Sequence, residues 1–166
     1  MIKKPHISED EVLHLVAEFL IIRGFRILAF GANQAGLFRF QTGSGRHKAP
    51  DLVAYLEPIL LICEAKVRSS NLFRKPLGRL SDYEYMIELA RSPLAHAKLE
   101  DESKRVLQAL GITPPNLIVI KVGLIAATPF LRLTTLPPSD EVLFFELDPI
   151  TESVSVQRDV NCCIPP

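Results

Sequence analysis

Three residues of this 166-residue chain have types and spacing suited to holding a divalent cation: Asp51, Glu64 and Lys66. Asp51 follows Pro50 at the start of one apolar run, and Glu64 and Lys66 stand two apart at the end of the next. Two carboxylates brought together at the ends of apolar strands repel each other and are costly to desolvate. Mg²⁺ or Mn²⁺, which prefer hard oxygen ligands, remove that cost. Lys66 adds a cationic donor beside them, able to orient an attacking water or to stabilise charge growing on a phosphate.

Geometry decides whether these residues meet. The runs 51–57 and 59–66 have strand length and are separated only by Glu57-Pro58. If they form a hairpin about that dipeptide, Leu56 pairs with Ile59 and Tyr55 with Leu60. Continued outward, that register sets Asp51 opposite Glu64, with Cβ atoms roughly 5 Å apart. Lys66 shares their face because strand side chains alternate. A slip of one residue would separate the set.

Pro50-Asp51-Leu52-Val53-Ala54 followed by Ile62-Cys63-Glu64-Ala65-Lys66 resembles the PD-(D/E)xK nuclease superfamily. In motif the resemblance covers Pro50, Asp51, Glu64 and Lys66; as an order of elements it covers about residues 8–126. It implies a restriction-endonuclease-like αβββαβ core: an α/β fold with a mixed central sheet flanked by helices, here with extra C-terminal strands. It further implies a Mg²⁺-dependent phosphodiesterase in which Asp51, Glu64 and the main-chain carbonyl of Ala65 ligate the metal and Lys66 sits by the attacking water. Many members add a glutamate from the first helix. Glu11 and Glu18, which share a helix face, are the candidates, with Glu11 preferred. The Gly- and Ser-bearing basic loop 42–48 is most similar to that of archaeal Holliday-junction resolvases. By that analogy, branched DNA is the substrate and a homodimer the assembly. The glutamine-tyrosine motif of the RecB-like branch is absent, and the helical segment through Leu110 exceeds that of the smallest resolvases.

Charge is distributed unevenly although the chain is formally neutral. Residues 39–79 hold eight cations against three acids, a local balance of +5. These flank the two motif strands, where phosphate contacts are needed. The residues expected to touch nucleic acid are Arg39, Ser44, Arg46, His47, Lys48, Arg68, Arg74, Lys75 and Arg79. Asn71-Leu72-Phe73-Arg74 sets an apolar pair among the cations, and packing beneath its own loop is favoured over insertion beside a base.

The remaining sequence supplies the elements that hold the motif. Ser8 and Glu11 form a capping box ahead of a helix that stops at Gly24. A strand over 25–30 follows, then a polar stretch 31–50 with a short strand over 37–40, and after the hairpin a polar loop 67–80. Ser81 and Glu84 form a second capping box, opening a helix that Pro93 should interrupt after Arg91. A further helix spans about 95–110, and strands are expected over 116–126, 142–147 and 153–158. Phe144 and Phe145 belong either to core strands, the favoured reading, or to a dimer interface.

Composition sets the outer bounds. A hydrophobic fraction of 48% and a charged fraction of 23% fit an ordinary globular protein, and the length suits one domain over residues 1–166. No apolar run reaches membrane-spanning length, and the N-terminus lacks an export signal, so a cytoplasmic protein is expected. Cys63, Cys162 and Cys163 make neither a zinc cage nor a disulfide framework. Three functions compete: a metal-dependent DNA endonuclease, a non-catalytic DNA-binding or assembly protein with the same fold, and an unrelated α/β binding module. No residue pattern separates DNA from RNA as substrate.

Overall fold

A computed structural model describes residues 6–31, 40–41, 47–48, 50–91, 93–131, 141–157 and 164–166. Its elements, in chain order, are α1 (Glu9–Ile22), β1 (Arg26–Phe30), β2 (Phe40–Gln41), β3 (His47–Lys48), β4 (Leu52–Leu56) and β5 (Ile59–Lys66). They continue with α2 (Ser69–Phe73), α3 (Asp82–Arg91), α4 (Pro93–Ala109), β6 (Val119–Ala126), β7 (Val142–Asp148) and β8 (Ser153–Gln157). Six strands form one mixed sheet in the order β1-β4-β5-β6-β7-β8, and β2 and β3 form a separate pair. Within the large sheet, β5, β6 and β7 run parallel, while the β1–β4, β4–β5 and β7–β8 pairs are antiparallel.

The sheet is apolar on both faces because helices cover both, as parallel strands require. Leu61, Cys63 and Ala65 of β5 pack with Val12, Leu13, Val16 and Leu20 of α1. Leu60 and Ile62 face the other way, towards Met86 and Leu89 of α3 and Leu99 and Leu107 of α4. Glu64 and Lys66, in step with Leu60 and Ile62, belong by alternation to the α3–α4 face.

Both capping boxes form in part. Ser8 Oγ accepts the N–H of Glu11 at 3.2 Å. Ser81 Oγ accepts the N–H of Glu84 at 3.1 Å and donates to its carboxylate at 3.2 Å. Pro93 ends the first of the two helices but also opens the second, a position where its missing N–H costs nothing.

Two expectations are corrected, and one open alternative is settled. The polar stretch after β5 contains a helix, α2, anchored by fully buried Leu72 and by Phe73, whose ring lies 5.1 Å from that of Tyr83. Residues 116–118 precede β6 rather than start it, and Leu117 is 67% exposed. Phe144 and Phe145 are core residues, 1% and 0% exposed, which is the favoured of their two sequence readings. The strand expected over 37–40 falls, apart from Phe40, outside the described residues, as do Cys162 and Cys163.

One glycine is dictated by packing. A Cβ on Gly123 of β6 would lie 2.7 Å from Cys63 Sγ and 2.9 Å from Phe145 Cε2, below any normal contact. The absent side chain lets those two groups close over the strand on the α1 face.

Candidate active site

The hairpin register predicted from the turn is the one observed: Leu56 with Ile59, Tyr55 with Leu60, Ala54 with Leu61, Val53 with Ile62 and Leu52 with Cys63. The rungs end there, one short of an Asp51–Glu64 pair. Asp51 turns its N–H to the Cys63 carbonyl at 3.0 Å, and its own carbonyl accepts the N–H of Gly31 at 2.8 Å. Its carboxylate Oδ2 accepts the N–H of Ala65 at 2.9 Å. Asp51 is thus bonded to the backbone residue that lies between Glu64 and Lys66.

Glu64 is 3% exposed at the carboxyl end of β5, and Lys66, the last residue of that strand, is half-buried. Negative charge gathers here. The Cys63 thiol is pushed well up by burial, and further by the carboxylates of Glu64 and Asp51. A buried thiol so placed has no thiolate character and acts as an apolar filler.

The α1 carboxylate whose titration senses this charge is Glu9. Burial pushes the Glu9 carboxyl up; Lys66 pulls it down, and Asp51, Asp10 and Asp82 push it up further. Glu9 therefore lies within electrostatic reach of both Asp51 and Lys66. Glu11 and Glu18, the helix residues favoured from sequence, are exposed. Helical geometry explains the difference. The buried face of α1 runs through Val12, Leu13, Val16, Ala17 and Leu20. Glu9 extends that face one turn towards the N-terminus, while Glu11, two residues on, points about 200° away. The same periodicity was present in the sequence, masked by the capping role of Glu11.

No family model matches the chain, and no curated protein is detectably similar to it. The site therefore stands on its own geometry. Among the described residues, no three His, Cys, Asp or Glu side chains are close enough together to hold a metal ion in this arrangement. The donor set nonetheless fits a hard cation in its chemistry. Asp51 and Glu64 flank the end of one strand, and the half-buried Glu9 carboxyl is pushed up first by burial and then by neighbouring carboxylates. A divalent cation bound by Asp51 and Glu64 would offset the repulsion between neighbouring carboxylates.

The expected nucleic-acid contacts fall into three groups. Arg68, Arg74, Lys75 and Arg79 are exposed on the segment between β5 and α3. Of these, Lys75 reaches Glu84 at 3.7 Å, an open ion pair of small energetic weight. His47 and Lys48 form β3, paired with Gln41 and Phe40. Arg39, Ser44 and Arg46 lie outside the described residues. The Leu72-Phe73 pair is packed under its own segment, as favoured from sequence, with Phe73 also against Phe130 and Phe144.

Proposed function

We propose that this protein is a Mg²⁺- or Mn²⁺-dependent nuclease that hydrolyses phosphodiester bonds in DNA, with a restriction-endonuclease-like core. One observation carries the reading: the Asp51 carboxylate is bonded to the Ala65 N–H, next to Glu64 and Lys66, at the end of the β4–β5 hairpin. The order α1, β1, β4, β5, α3–α4, β6 also follows the αβββαβ order that the motif resemblance implies.

Asp51, Glu64 and the Ala65 carbonyl would hold the metal, and among the α1 carboxylates Glu9 is the one coupled electrostatically to Asp51 and Lys66. The metal, when bound, would lower the pKa of the attacking water and neutralise charge on the phosphate. The protein's own part is orientation. Three backbone hydrogen bonds fix Asp51, so its carboxylate has little freedom left to lose on binding. Lys66 brings a positive charge to a cluster that otherwise repels a phosphate, and it can steady the oxyanion charge of the transition state. Exposed Arg68, Arg74, Lys75 and Arg79 supply phosphate contacts outside the reacting centre. Branched DNA and a homodimer remain the substrate and assembly suggested by analogy to the resolvases.

A second reading, a DNA-binding protein without catalysis, draws on the same exposed cations, which need no metal. Incubation with plasmid, linear duplex and four-way-junction DNA in Mg²⁺, Mn²⁺ or EDTA separates the two. Cleavage in metal and none in EDTA supports the nuclease; binding with no cleavage in any metal supports the second reading.

A further inference from the structure

Beyond the carboxyl ends of β5, β6 and β7 lies a cavity of about 500 Å³ that none of the site carboxylates lines. Such crevices, outside the carboxyl ends of parallel strands, are where open α/β sheets bind ligands. Its volume falls within the range of roughly 300–1,000 Å³ typical of small-ligand pockets. Most of its wall is apolar, contributed by Ile7 before α1, Val67 and Ala127 at the strand ends, and Pro129, Pro149 and Ile150. Its polar groups are His6, Arg68 and Thr128, with no acid among the lining residues.

The wall is fixed before anything binds. Val67 and Ala127 continue the β5–β6 pairing through a 2.9 Å bond from the Ala127 N–H to the Val67 carbonyl. Ser69 ties the next turn, its N–H donating to Thr128 Oγ1 at 2.8 Å and its hydroxyl to the Pro129 carbonyl at 2.7 Å. Asp148 Oδ1 accepts the N–H of Ile150 at 2.9 Å and so sets the Pro149-Ile150 wall. Prolines lose no rotamer freedom when covered. This is a preformed apolar slot with a cation at its rim.

We propose that this cavity takes one unstacked base of the nucleic-acid strand, with the adjoining phosphate held by Arg68. The inference rests on the nuclease reading and names where that strand runs. Arg68 is extended, two residues past Lys66 and therefore roughly 6.6 Å further along the strand direction. A phosphate there belongs to a nucleotide next to the one at the carboxylates. The charge is complementary to a phosphodiester, and the apolar wall suits a base that has left its stack. Arg68 and Ile150 are exposed, so changes at either leave the core intact.

The test uses duplex and single-stranded DNA with 2-aminopurine placed at successive positions along the strand, bound to the full chain in EDTA so that no cleavage occurs. The expected result is brightening at one position only. Ile150→Asp should abolish that brightening, and Arg68→Ala should weaken binding about tenfold, as expected for one charge-assisted contact. Leu117→Asp, an exposed apolar position at the other end of β6, should change neither. Brightening at no position, brightening that survives Ile150→Asp, or no DNA binding at all overturns the proposal. Brightening without cleavage once Mg²⁺ or Mn²⁺ is restored upholds the pocket and removes the nuclease reading. Cleavage without brightening does the reverse.

Discussion

The carboxylate of Asp51 is bonded to the N–H of Ala65 at 2.9 Å across fourteen residues of chain, which ties the two halves of the motif into one unit. The bond uses one carboxylate oxygen and the negative charge strengthens it. It gives Asp51 a structural role beside the chemical one proposed for it, and the two can be separated by choice of substitution.

Asp51→Asn retains an oxygen acceptor for the Ala65 N–H but loses the charge needed to bind a cation. We expect it to fold with nearly unchanged melting temperature and to lose cleavage by a factor on the order of 10² or more. Asp51→Ala also leaves the Ala65 N–H without its acceptor and should cost about 1.5–3 kcal/mol of stability. Thermal melts beside plasmid-nicking assays check both. An active Asp51→Asn protein would remove Asp51 from the metal site.

Glu9 predicts a trade of stability for function. Its carboxyl is held above the ordinary range, first by burial, so the folded state binds its proton more tightly than the unfolded chain does. The ionised group therefore opposes folding fully above its raised folded value, and the opposition fades as pH falls towards the ordinary 4.5 and is gone below it. Glu9→Gln should raise the melting temperature of the metal-free protein at pH 7 and converge with wild type near pH 4. It should also shrink the stabilisation produced by added Mg²⁺ or Mn²⁺, because binding to the folded state alone raises stability by mass action. Glu11→Gln, at an exposed position, should do neither. Melts over a pH series, with and without metal, decide the matter.

Much of this architecture is legible in the sequence because local rules and global packing agree. The β4–β5 register follows from the shortness of the Glu57-Pro58 turn and from apolar runs equal enough to fix both faces. Ser8 and Ser81 mark helix starts through their hydroxyls. What escaped depends on tertiary contacts. Helix α2 begins Ser69-Ser70-Asn71, residues with a local preference for turns, and it exists because Leu72 and Phe73 find a core. That the ladder stops at Leu52, with the Asp51 carboxylate accepting the Ala65 N–H instead, leaves no mark on residue types. Glu9 continues the apolar stripe of α1 by helix period, whereas Glu11, the stronger local signal, carries the capping bond to Ser8.

Gly123 tests the packing beneath the site. Its missing Cβ is what allows Cys63 Sγ and the Phe145 ring to meet over β6. Gly123→Ala should destabilise by about 1–3 kcal/mol through overpacking, lowering the melting temperature by roughly 2–4 °C per kcal/mol. Cys63→Ala removes the nearer obstacle, so the double variant should recover part of the loss rather than add to it. Strict additivity in a denaturant double-mutant cycle would show that the two positions do not press on each other.

Asp148 offers a pH signature distinct in sign from that of Glu9. Its carboxyl is held below the ordinary value, chiefly by the hydrogen bond from the Ile150 N–H, with the Thr151 N–H and hydroxyl contributing. A depressed folded-state pKa means that the unfolded chain takes up the proton first as pH falls. The stabilisation is therefore complete well above the ordinary value of 3.8 and disappears as pH drops through the lower folded value. Asp148→Ala should lower the melting temperature modestly at pH 7, and the gap should close below pH 3.8. The same variant loosens the Pro149-Ile150 wall, so its 2-aminopurine brightening should weaken at pH 7 while the carboxylate cluster is untouched. A melting-temperature gap that stays constant with pH would show that the Asp148 hydrogen bonds act through shape alone, without the charge.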